Sequence, residues 1–160
     1  MLAIRPIGET SEHGYPQGSY RKTMSSYSDF DLALSKLHPH LYGKYVFLSQ
    51  RDGLHAGLEP FAQIKEEEGL TVIVPLEQAK AAGVSEGKKI YRRITLECDV
   101  SLEETGLTFT VASQLASQSI PCNVLSGLHH DHLMVPAERA KEALSLLQQL
   151  SQQAKGWVQY

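Results

Sequence analysis

The run His129-His130-Asp131-His132 places three imidazoles and a carboxylate in four consecutive positions. Neutral imidazole and carboxylate are ligands for transition metals, so metal chemistry is the first possibility to weigh. The spacing works against a complete site. Successive side chains of an extended chain point to opposite faces, so at most His130 and His132 share one. The sequence offers no HExxH-type spacing to finish the ligand set. The same residues serve as a polar hairpin turn, or as contacts to a small organic ligand. A metal-binding protein, or a small metal-dependent enzyme, built on His129–His132 is therefore the alternative reading. No resident metal and no cofactor are expected.

A second constellation spans Asp99–Thr108, where a strand-like segment gives way to helical spacing at Gly106. A helix start presents unpaired N–H groups and the positive end of the helix dipole, and both favour a carboxylate. Gly106 lets a ligand approach the backbone closely. Glu103 and Glu104 carry the charge that holds a cationic amino group. Donors for a carboxylate beside acceptors for an ammonium are what an α-amino acid requires. With no ligand, the same residues make an ordinary strand-to-helix turn with solvated glutamates. Glu66-Glu67-Glu68 reads as a solvated turn, and Asp29 and Asp31 as capping residues. A P-loop, GxGxxG or CxxC is absent, as is any Ser–His–Asp order. No catalytic residue is singled out, although a spatial triad leaves no sequence signature. Binding is expected rather than catalysis.

Elements must position these groups. Phe30, Leu32, Ala33, Leu34 and Leu37 space a short helix over Asp29–Leu37, capped by Ser28 or Asp29 and ended by Pro39. Tyr45–Leu48 and Leu70–Val74 are rich in β-branched and aromatic residues and read as strands. Phe61–Glu68 fits a helical turn and a strand about equally. Glu77–Ala82 is a short helix with Gly83 where a C-terminal cap belongs. Ile90–Val100 alternates strictly, with Ile94, Leu96, Cys98 and Val100 on one face and Arg93, Thr95, Glu97 and Asp99 on the other. Leu107, Val111 and Leu115 mark a helix stripe over Leu107–Gln118. Strands follow at Ile120–Leu125 and His132–Val135, with the polar turn Gly127–Asp131 between them. Ala137–Gln153 is the longest helix, and Pro136 suits its first turn.

The order strand, helix, strand, strand, helix from about residue 90 is ferredoxin-like, an α+β arrangement with both helices on one face of an antiparallel sheet. Such a unit wants a further strand. Trp157–Tyr160 is one candidate, and a strand of the first half is the other. The first half repeats the pattern in degenerate form, so two related modules are expected, sharing strands across the join: residues 25–88 and 89–160. Residues 1–24, rich in glycine and polar residues, read as a loose extension without the apolar region of a secretory signal.

Bulk properties narrow the function classes. The chain has 160 residues, a formal net charge of −3 and no basic run, which argues against a nucleic-acid partner. No apolar stretch approaches the roughly 20 residues of a membrane span, so no membrane partner is expected. Cys98 and Cys122 are too few for a disulfide framework and read as buried small hydrophobes in a reducing cytoplasm.

The run Ile94–Leu150 resembles an ACT domain. Ser101–Gly106 corresponds to the loop before the first helix, Ile120-Pro121-Cys122-Asn123-Val124 to the second strand, and Ala140–Leu147 to the closing helix. Tyr45-Val46-Phe47, Glu67–Thr71 and the stretch from Asn123 through His130-Asp131-His132 to Pro136 are similar to blocks of bacterial tandem ACT-like proteins, over about residues 25–153. Pro121-Cys122 before Asn123 departs from the usual start of that strand. The resemblance implies a regulatory-type protein with a small-molecule ligand, an amino acid, held by Glu104, Thr105, Gly106, Leu107, Thr108, Asn123, His130 and Asp131. Asn123 is early in its strand, so a neighbouring module or subunit is expected to complete the pocket. A homodimer is expected, because the strand Ile90–Val100 keeps Tyr91 and long side chains on its second face.

Overall fold

The computed structural model describes residues 29–50, 56–97 and 106–158. Six antiparallel strands form one sheet: β1 (His38–Gln50), β2 (Ala62–Glu66), β3 (Gly69–Pro75), β4 (Tyr91–Glu97), β5 (Asn123–Ser126) and β6 (Asp131–Pro136). Their order across the sheet is β2-β3-β1-β4-β6-β5. The helices are α1 (Asp29–Ser35), α2 (Leu76–Ala81), α3 (Leu107–Ser117) and α4 (Ala140–Val158), the last entered through a 3₁₀ turn at Ala137–Arg139.

The strand order has an internal logic. Starting from β4, the sequence β4-α3-β5-β6-α4 is the second ferredoxin-like unit, and its outer position beside β4 is filled by β1. Starting from β1, the sequence β1-β2-β3-α2 is the first unit, and its outer position beside β1 is filled by β4. Each central strand therefore opens its own unit and completes the other. The two pair antiparallel from His38↔Glu97 to Tyr45↔Tyr91. The tail at Trp157, one of the two candidates for the missing strand, does not take that place: α4 runs through Trp157 to Val158. Ala143, Leu147, Leu150 and Ala154 recur at three- and four-residue steps on its buried side, so the helical period carries past Gln153.

The helices cover one face. Leu34, Leu37, Val111, Leu115, Ala143, Leu147 and Ala154 pack on Ile94, Leu96, Leu133 and Val135. Leu76 and Ala79 of α2 pack on Val46, Leu48, Val72 and Val74. The opposite face carries Tyr45, Phe47, Ile73, Tyr91 and Met134. The segment Phe61–Glu68, ambiguous by spacing, is a strand from Ala62 that pairs with β3 through Glu66↔Gly69. Burial gave no cue, because Gln63 to Glu66 are all exposed. Among the described residues no helix is long and apolar enough to cross a membrane.

Two features of β1 depart from expectation. It begins at His38, so Pro39 lies inside a strand instead of beyond a helix. Proline is tolerated there because β3 pairs only with Tyr45–Gln50, which leaves one side of the early part of β1 free of a ladder. The register with β4 also slips between Leu41↔Ile94 and Lys44↔Arg92, a one-residue bulge at Tyr42-Gly43. The bulge reverses the alternation, so His40 and Tyr42 before it and Tyr45 and Phe47 after it fall on the same, helix-free face.

Candidate ligand site

Gly106 is the N-cap of α3 and adopts the left-handed conformation, with φ 104°. A glycine cap has no side chain to engage the first-turn N–H groups, so the first turn of α3 receives no capping bond from it. Thr108 Oγ1 donates a 2.9 Å hydrogen bond to Asp131 Oδ2. Asp131 is held by β6, where it pairs with Leu96 of β4 and Ser126 of β5. The structure thus brings Gly106, Leu107, Thr108 and Asp131 together. Leu107 is buried and can offer only backbone. Glu103, Glu104 and Thr105 lie outside the described residues, as do Cys98 and Asp99.

Two expected site residues stand apart. Asn123 pairs with Met134, three ladder positions along from Ser126↔Asp131, and its register places it on the helix-free face. His130 is exposed in the β5–β6 turn, where its carbonyl accepts the Gly127 N–H at 3.0 Å. The histidine run is dispersed for the same reason. His129 and His130 belong to the turn, whereas His132 is in β6 with its ring on the helix-free face. Among the described residues no three His, Cys, Asp or Glu side chains gather as a metal site.

His132 joins a cluster that the sequence did not reveal. Its Nδ1 lies 3.0 Å from Thr95 Oγ1, and its ring meets Phe61 edge-on, with centroids 5.0 Å apart. Burial, then the charge of Arg93, holds the imidazole below its ordinary pKa; Asp131 opposes the effect. The Arg93 Cζ lies 4.2 Å from the Phe61 ring centroid, 4.3 Å from that of Tyr42 and 5.5 Å from that of Tyr45. Tyr42 also donates to Glu97 at 3.1 Å, and Glu97 pairs with His40. Alternation in β4 had shown that Arg93, Thr95 and Glu97 share a face. The aromatic partners were hidden because the bulge at Tyr42-Gly43 breaks the period that would have aligned them; Gly43 was the available signal.

A separate cleft of about 620 Å³ opens between β1 and the later turns of α4, lined by His38, His40, Gln148, Gln149, Gln152 and Lys155 among others. It shares no residue with the α3 site and meets the Arg93 cluster only at His40, the partner of Glu97.

Two family models of the ACT domain match the sequence in tandem, over residues 27–92 and 86–149. The chain is similar to a structure from Vibrio cholerae of a protein of unknown function, described as a possible transport protein. The two are 37% identical, with a TM-score of 0.69, over 76% of this chain and 95% of that one. A protein from Agrobacterium tumefaciens is 17% identical, with a TM-score of 0.58 over 72% of this chain and 90% of its own. The regulatory subunit of aspartate kinase from Thermus flavus is 12% identical, with a TM-score of 0.51 over 70% and 95%. The latter two likenesses are likenesses of fold. No curated protein matches the sequence.

Proposed function

We propose that this chain, which belongs to the ACT-domain family and carries two ACT domains in tandem, is a regulatory-type protein that binds an α-amino acid at the start of α3. The observation that carries the reading is the Thr108–Asp131 hydrogen bond. It sets a carboxylate beside a helix start whose glycine cap leaves donors open. The ligand carboxylate takes the N–H groups of Leu107 and Thr108, and the ammonium takes Asp131. Glu104 and Thr105, which precede Gly106 in the sequence, belong to the proposed contact set. Residues 25–88 and 89–160 are the two modules. We place the protein in the cytoplasm as a homodimer. Asn123 and His130 reach the ligand only if a second subunit supplies them.

The test is a thermal-shift panel of the twenty amino acids against the parent protein. A ligand at 100 times its dissociation constant adds about 2.7 kcal/mol. Thr108→Val and Asp131→Asn should remove that response while the protein stays folded. A flat panel on folded parent protein sinks the proposal. Gly106 is a poor probe, since a side chain at φ 104° is strained whatever a ligand does.

A further inference from the structure

The helix-free face presents a cation whose partners do not answer its chemistry. The Arg93 side chain is half-buried, and its Nε is fully buried with no hydrogen-bond partner among the described residues. The ion pairs among the described residues, His40–Glu97, Lys80–Glu77 and Arg139–Glu142, leave it out. Its neighbours are the rings of Phe61, Tyr42 and Tyr45. Ring faces attract a guanidinium but accept none of its in-plane N–H bonds. Arginine does not shed its proton, so the positive charge stays, and a buried donor without an acceptor is unfavourable. Nearby Glu97, which could neutralise it, is instead held by Tyr42 and His40.

An incoming group that answers this charge is anionic and accepts N–H bonds at the part of the half-buried guanidinium that is open, as a carboxylate does. The surroundings choose its body. Towards Glu97 the face is acidic and repels an anion. In the other direction lie Tyr91 and Phe47, whose rings meet edge-on at 5.0 Å, while Met134 sits directly opposite Arg93 on β6. Thr95 and His132, paired with each other on the adjoining strands, flank the cluster.

We propose that the helix-free face of the sheet holds a second binding site, centred on Arg93, for an organic monocarboxylate with an apolar body. Arg93 takes the carboxylate, Phe61 and Tyr42 wall the guanidinium, and the body lies over Tyr91 and Phe47. The site goes beyond the amino-acid site at α3, from which the sheet separates it.

Phenylacetate is the probe, and its uncharged amide the control. The full chain is titrated by nuclear magnetic resonance while the Arg93 Nε–Hε signal is followed, assigned by its absence from Arg93→Lys. A saturable shift with phenylacetate and none with phenylacetamide is the expected result. In calorimetry Arg93→Lys should bind phenylacetate at least tenfold more weakly, because lysine keeps the charge and loses the fork. Thr108→Val should bind it like the parent, and Arg93→Lys should keep any amino-acid response, so the two proposals fail independently. An unmoved Nε–Hε signal at millimolar phenylacetate, an equal response to the amide, or undiminished binding by folded Arg93→Lys overturns the site. Should Arg93→Lys not fold, the parent's signal, identified by sequential assignment, decides alone.

Discussion

His132 is a single residue whose protonation the fold has biased. Burial, with the charges of Arg93 and His130, lowers its pKa below the ordinary value near 6.5. The native state then prefers the neutral ring more than the unfolded chain does. The stability this contributes is full above the unfolded pKa and is lost as pH falls from about 6.5 through the lower folded value. Melting temperature should therefore decline between pH 7 and 5 more steeply in the parent than in His132→Gln. Parallel profiles would show that His132 has no such role. At this scale the sequence was partly legible. The pairing of Asp131 with the start of α3 joined two motifs each visible on its own. The dispersal of the histidines was not legible, because the alternation that governs a strand does not reach His129 and His130 in the turn.

Among the elements, α4 illustrates what periodicity conveys and where it stops. Its apolar stripe was plain from Ala140 to Leu150, and Leu147 is fully buried in the main core. Leu147→Ala should cost about 2–5 kcal/mol through the lost apolar contact and the cavity left behind. Trp157, on the same helix, is 53% exposed. Trp157→Ala should change stability by only about 0.5 kcal/mol. Urea unfolding of both variants checks the pair; a large loss at Trp157 would mean that the side chain is covered, as in a dimer. The aromatic and β-branched content of Trp157–Tyr160 suggested a strand, but the packing of Leu150 and Ala154 prolongs the helix over that propensity. For β2 the difficulty was the reverse: a strand with exposed residues along most of its length shows no burial pattern to read.

At the scale of the whole molecule, two related units with strands shared across the join were legible from the repeated order of elements. Which strands are shared was not. The β1·β4 pairing joins residues as far apart as His38 and Glu97, and no local pattern encodes so distant a partner. The bulge that gathers Tyr42 and Tyr45 over Arg93 depends on that same pairing, so the cluster on the helix-free face was out of reach for the same reason. Neither unit has a complete sheet without the other, so heat or urea should unfold the chain in one transition that fluorescence and circular dichroism report alike. Two separated transitions would mean that the halves are stable independently.

The reciprocal placement of β1 and β4 has the topology of two small proteins that have exchanged a strand and then been spliced together. The splice is the exposed connection around Gly87, whose φ of +66° faces open space. If that connection does no more than keep the halves near each other, it acts through effective concentration, typically millimolar for a short tether. Chains ending at Glu86 and beginning at Gly87 should then each be unstructured alone and assemble into one folded, one-to-one complex when expressed together. Such a pair would turn an intramolecular fold into an obligate heterodimer without altering a side chain of the sheet.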